Sequence, residues 1–208
     1  MDRHFEGLSE PARLAPQSGI IAAFNHGSGK PGLIPLWAGE SDLPTPRFIV
    51  EAAQRAMADG ATFYTHSRGI PALREALARY YETQFGRPFD PESFFVTGSG
   101  MQGIQLAARL ALKAGEEILV PTPCWPNISG AVLVQGSRPV AVPLREVDGR
   151  FSLEVADLEA ALTPATRAIF LNSPAHPTGF VASIETLQAI LTLARRHNLW
   201  IIADEIYS

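Results

Sequence analysis

Cysteine is almost absent: Cys124 stands alone in 208 residues, so no disulfide can form within the chain, and a reducing compartment is the default. Lysine is nearly as scarce, with Lys30 and Lys113 the only two and arginine supplying the remaining cations. No apolar run approaches the ~18–20 residues of a membrane span, and the longest are strand-sized. The opening Met1-Asp2-Arg3-His4-Phe5-Glu6 has no hydrophobic stretch behind it, which reads as the lack of a secretory signal. Net charge is −4 with no block of one sign, so the dense Lys/Arg footprint of non-specific nucleic-acid binding is missing. These absences exclude a disulfide scaffold, a membrane span and a nucleic-acid module, and no metal site is read. What remains is a cytoplasmic protein, 46% hydrophobic and 18% charged, with enough apolar residues for a sizeable core.

Residues 1–46 are rich in Gly and Pro without a sustained period and read as an N-terminal arm and connecting segment. Residues 47–208 read as one large domain, incomplete at its C-terminus. Helices are expected over 48–59, 71–85, 101–113, 128–134, 153–162 and 184–197. Several are followed by a glycine that suits a left-handed C-cap, as Gly60, Gly86 and Gly115 do. Apolar faces are expected at Leu73, Leu77 and Tyr80 in the second helix, and at Ile184, Leu187, Ile190, Leu191 and Ala194 in the last. Strands are expected over 94–97, 117–120, 140–142, 167–171 and 199–203. Strands that are apolar on both faces, alternating with helices, predict an α/β fold: a mostly parallel sheet with helices on both faces. Ligand groups then belong at the carboxyl ends of the strands.

Four segments fall there. Gly98-Ser99-Gly100-Met101-Gln102-Gly103 follows an expected strand and opens a helix, a context that suits an anion through backbone N–H groups and the helix dipole. Its G-x-G-x-x-G pattern invites a dinucleotide reading, which requires an acidic residue ending the next strand. That strand ends Val120-Pro121-Thr122-Pro123, so a single phosphate monoester fits better; a ligand-free turn is the alternative. Trp125 follows a strand and is placed either to stack on a flat ring or to sit as a core aromatic. The loop Asn172-Ser173-Pro174-Ala175-His176-Pro177-Thr178-Gly179 is fixed by prolines and glycine and carries polar groups. Asp204 ends an apolar strand, where a carboxylate is costly unless paired; the partner is either a neighbouring Arg, a helix N-terminus, or a protonated ring nitrogen. Tyr207 adds a phenol. Ser28-Gly29-Lys30 is rejected as a P-loop, because Pro31 stands where Ser or Thr would bind Mg²⁺. Phosphate, flat ring, ring nitrogen and ring oxygen together describe pyridoxal 5′-phosphate.

From about Leu36 onward the chain resembles the class I/II aminotransferases, which are fold-type I PLP-dependent enzymes related to aspartate aminotransferase. Gly39-Glu40-Ser41-Asp42-Leu43 resembles the family's G-E-P-D-F, whose glycine lies against the substrate carboxylate. Tyr64, Gly69 and Leu73-Arg74 resemble Y-x-x-x-x-G-x-x-x-L-R, whose tyrosine reaches the cofactor phosphate of a partner subunit, implying a homodimer. Ser99, Gly100 and Met101, with Gln102 adjoining, match the phosphate-cradling turn. Trp125 matches the stacking aromatic, Asp204 the partner of the pyridine nitrogen, and Tyr207 the phenol on the ring oxygen. The resemblance implies amino-group transfer between an amino acid and a 2-oxo acid.

Two departures stand out. The family's N-P-T-G reads His176-Pro177-Thr178-Gly179 here, so an imidazole stands where an asparagine donates to the ring oxygen; imidazole also donates. The Schiff-base lysine, which relatives carry beyond the Asp/Tyr pair, is not among these residues, so the chain is expected to be an N-terminal fragment, inactive alone. Other readings on the same scaffold are a C–S lyase or a cyclopropane-forming synthase. A PLP-binding regulator domain, from a different class, would carry a basic helix-turn-helix that the arm lacks.

Overall fold

The computed structural model describes residues 7–16, 18–37 and 39–207; the opening Met1–Glu6 and the closing Ser208 lie outside the described residues. In chain order its helices begin with α1 (Glu10–Leu14), α2 (Gly19–Gly27), α3 (Arg47–Ala58), α4 (Pro71–Phe85) and α5 (Gly100–Ala111). There follow β1 (Glu117–Thr122), α6 (Asn127–Leu133), β2 (Arg138–Pro143), the pair β3 (Arg145–Val147) and β4 (Arg150–Ser152), and α7 (Val155–Ala160). The chain continues through β5 (Thr166–Asn172), α8 (Ile184–His197) and β6 (Trp200–Asp204). It divides into two compact units: one takes the chain up to Ser18 with everything from Gly100 onward, and the other runs from Gly19 to Ser99.

In the first unit four parallel strands form a sheet of order β2-β1-β5-β6. Successive side chains of a strand point to opposite faces, and the two cores sort by parity. Leu119, Ile169 and Leu171 lie on one face with Leu158 of α7 and Ile190 and Leu193 of α8. Ile118, Val120, Ala168, Phe170 and Ile202 lie on the other with Ala108 of α5 and Ile128 and Val132 of α6. The register aligns Val140, Leu119, Ile169 and Ile201 as one row across all four strands. Leu119, Ile169 and Phe170 are fully buried, and each stabilises the fold by ~1.5–3 kcal/mol relative to an exposed position. The expected α/β sheet with helices on both faces is what forms.

The path of the chain fixes where the sheet opens. From β1 it moves through α6 to β2 on one side; from β5 it moves through α8 to β6 on the other. Adjacent strands whose onward connections diverge leave a crevice at their carboxyl ends, here between β1 and β5. At the opposite end, buried Glu117 ties the strands together, pairing with Arg138 at 2.8 Å and accepting from the Thr163 hydroxyl.

Helix ends follow the sequence closely. Ser183 caps α8 through its hydroxyl, which accepts from the Thr186 N–H at 3.2 Å, and Asn198 closes it in the left-handed conformation at φ 53°. Such a cap is worth ~1 kcal/mol. Gly86 closes α4 at φ 64°. Three expectations need correcting. The segment read as an irregular arm contains α1 and α2. Residues 94–97 join no ladder; the Val96 N–H instead donates to the Arg68 carbonyl at 3.0 Å. The buried faces also differ. The buried positions of α8 are Ile190, Leu193 and Ala194, with Ile184 and Leu187 exposed. Those of α4 are Arg74 and Ala78, with Leu73 and Tyr80 exposed.

That choice in α4 has an electrostatic cause, internal to the Gly19–Ser99 unit. Arg74 donates to Glu92 Oε1 at 2.6 Å, and Arg68 pairs with the same carboxylate. A buried guanidinium needs such a partner. The hydrogen bond from Arg74 holds the Glu92 carboxyl below its ordinary value. Beside it, Tyr81, Phe85, Phe89 and Phe94 pack with ring centroids 5.4–6.3 Å apart.

Candidate functional site

Three strand ends of the first unit deliver polar groups to the crevice. Beyond β1 come Cys124 and the half-buried Trp125. Beyond β5 comes the loop from Asn172 to Gly179, and β6 ends in Asp204 with Tyr207 three residues on. Helix α5 begins on the same side: its Gln105 donates to the Ala131 carbonyl at 3.1 Å, and Met101 lines a hollow with Pro126 and Asn127, which follow the carboxyl end of β1. The outward N–H groups and positive dipole end of α5 thus accompany the crevice.

Asp204 is half-buried, and one carboxylate oxygen accepts from the Ile206 N–H at 3.3 Å. Among the described residues it forms no ion pair, and no helix follows it up to Tyr207. The salt-bridge explanation for a carboxylate at that strand end therefore finds no support among the described residues, whereas the contact to the Ile206 N–H, two residues on, is the kind a helix N-cap makes. Its charge reaches the loop after β1: burial first, and then Asp204, push the Cys124 thiol up to about 11. Thiolate formation is disfavoured both by lost solvent and by a like charge.

The His176 imidazole and Tyr207 phenol are stacked, with centroids 6.5 Å apart and planes at 19°. His176 Nδ1 is buried with no hydrogen-bond partner among the described residues. An unsatisfied buried nitrogen costs ~1–3 kcal/mol.

The structure therefore brings Trp125, His176, Asp204, Tyr207 and the first turn of α5, with Gly100, Met101 and Gln102, to the carboxyl-end side of one sheet. Gly39, Tyr64 and Ser99 belong to the other unit; Gly39 is exposed and the Tyr64 side chain is fully exposed. One residue was underrated. Asn172 reads in the sequence as loop polarity, yet it is 6% exposed and hydrogen-bonds to three other residues.

Parallel strands with a switch-point crevice at their carboxyl ends place the first unit in the doubly wound α/β class, and Trp125, His176, Asp204 and Tyr207 stand at those strand ends. A family model for aminotransferase class I and II matches residues 31–208. The chain belongs to that family. It is 37% identical over 201 residues to aromatic-amino-acid aminotransferase 2 of Thermococcus litoralis, covering 96% of this chain and 51% of that protein. It is 34% identical over 200 residues to an aspartate aminotransferase of Pyrococcus horikoshii, covering 96% and 51%. The solved structure of the aspartate aminotransferase from Thermus thermophilus with maleate superposes at a TM-score of 0.87 and 35% identity, covering 97% of this chain and 53% of that one. The chain spans about half the length of the curated relatives it matches. Among the described residues no helix is long and apolar enough to cross a membrane.

Proposed function

We propose that this chain supplies the cofactor cradle of a PLP-dependent aminotransferase that moves an amino group from an amino acid to a 2-oxo acid, working as a cytoplasmic homodimer. The observation that carries this reading is the convergence of Asp204 with the stacked His176–Tyr207 pair in a crevice where His176 Nδ1 lacks a partner. The donor set fits the cofactor chemically. Asp204 would hold the proton on a pyridine nitrogen by a charge-assisted hydrogen bond. His176 and Tyr207 would donate to the ring oxygen, Trp125 would cover a ring face, and Ser99, Gly100, Met101 and Gln102 would hold the phosphate. When bound, the cofactor supplies an electron-withdrawing ring that stabilises a carbanion at the substrate Cα. Gly39 would lie against the substrate carboxylate, and Tyr64, with its exposed phenol, would reach the phosphate held by a partner subunit.

Taken alone, the chain is not expected to link covalently to the cofactor. Lys113 stands between α5 and β1, near the amino end of the sheet, and a strand of this length puts ~20 Å between it and the crevice. The Lys30 ammonium lies 3.0 Å from His26 Nε2. Titration with pyridoxal 5′-phosphate is expected to quench indole fluorescence saturably, and Asp204→Ala to weaken binding by about tenfold or more. Absence of saturable binding overturns the reading. Borohydride treatment of the loaded chain should leave no stable adduct by mass spectrometry; an adduct on Lys30 or Lys113 would overturn the claim about the lysines.

A further inference from the structure

We propose that Asn172 is a positioning residue that sets both polar ends of the bound ring at once. The proposal rests on the cofactor reading above and concerns how the chain aligns its own groups toward that ring. Asn172 and Asp204 form the last register pair of β5 and β6. The Asn172 amide nitrogen donates to the Asp204 carbonyl at 3.1 Å and to the Pro174 carbonyl at 3.3 Å. Its Oδ1 accepts from the His176 N–H at 2.9 Å. The side chain is 6% exposed, so its amide is used internally rather than offered to a ligand.

One side chain thus ties the backbone of the carboxylate residue to the backbone of the imidazole residue. The Ser173 N–H adds a second tie to the Asp204 carbonyl at 3.2 Å, and the stack carries the alignment from His176 to Tyr207. A flat ring holds its nitrogen and its oxygen at a fixed separation. Groups meeting both must be aligned to within ~0.5 Å, and that demands a shared frame. The Asn172 amide is that frame. Its removal unties the His176 N–H from the Asp204 carbonyl, leaving Ser173 as the remaining tie to that carbonyl and the first turn of α5 in place.

The test measures affinities of the full chain for four compounds that lack an aldehyde and so leave lysines untouched. These are pyridoxine 5′-phosphate, its 1-deaza analogue without the ring nitrogen, its 3-deoxy analogue without the ring oxygen, and pyridoxine without the phosphate. In Asn172→Leu, which keeps the volume, the preferences for ring nitrogen and ring oxygen should each fall by about fivefold or more. The preference for the phosphate should stay within about twofold, because that end is held elsewhere. Uniformly weaker binding with all three preferences retained, or loss of the phosphate preference alongside the others, makes Asn172 merely structural and overturns the proposal. Should the Leu variant not fold, Asn172→Ser is read the same way. Failure of the unmodified chain to bind any phosphorylated compound removes the cofactor reading and the proposal with it. Binding with intact preferences in both variants removes the proposal alone.

Discussion

Asp204 and Cys124 share an electrostatic environment, and the thiol reports on the carboxylate. Burial and the Asp204 charge raise the Cys124 thiol from 9.0 to about 11. A group whose folded value is raised contributes stability below the unfolded value and loses it as pH climbs through the folded one. The window here is pH 9.0 to about 11, where the unfolded chain gives up its proton first. Denaturant midpoints should therefore fall across that window, and less so in Cys124→Ala. Alkylation by iodoacetamide should follow a thiolate midpoint that Asp204→Asn moves downward. A midpoint indifferent to that substitution would separate the two groups and remove the carboxylate from the crevice. The placement of these side chains was legible in the sequence, because Trp125, His176 and Tyr207 follow apolar strands and Asp204 ends one. The role of Asn172 was not legible. It depends on a carbonyl 32 residues away in sequence, delivered only by the pairing of β5 with β6.

Periodicity and punctuation located most helices, because capping chemistry is local; Ser183, Asn198 and Gly86 act within a few residues of themselves. Which face a helix buries is a tertiary matter. In α8 the inward residue is Leu193 rather than Ile184, and in α4 it is Arg74, drawn in by Glu92. The β3–β4 pair was missed although its Asp148-Gly149 turn is a local signal: both residues have positive φ, 52° and 74°. Its strands are three residues each, too short to show alternation. Gly69, where the chain enters α4, combines both kinds of requirement. Its φ is +96°, and a Cβ there would stand 2.7 Å from the Val96 side chain. Gly69→Ala should cost at least ~2 kcal/mol from backbone strain and contact together. Adding Val96→Ala removes the Cγ2 contact but keeps Val96 Cβ, itself 2.7 Å away, and leaves the strain, so the double variant stays less stable than Val96→Ala alone. Urea unfolding measures all three, and a Gly69→Ala chain as stable as the parent would refute the account.

Across the whole chain, the two edges of the four-stranded sheet are defended unequally. Strand β2 carries Arg138, Pro139 and Pro143, and charge and proline are what blunt an edge against further pairing. Strand β6 reads Trp-Ile-Ile-Ala-Asp and pairs only with β5 among the described residues. Trp200 is 66% exposed and Ala203 is exposed. An apolar stretch such as residues 200–203, with an unpaired edge along one side, is a template for another strand. The local charges lie at one end, with Asp204 closing the strand and Glu205 following, and leave Trp200, Ile201, Ile202 and Ala203 without any. The expectation is that the 208-residue chain self-associates through β6, giving broad, concentration-dependent sedimentation. Trp200→Lys puts a charge on that edge at small cost to the core, because the indole is already mostly in solvent, and should leave one discrete species. If the distribution of species is the same in the variant, association runs through another surface. The exposed Tyr64 of the other unit, assigned above to a subunit contact, is then the next position to substitute.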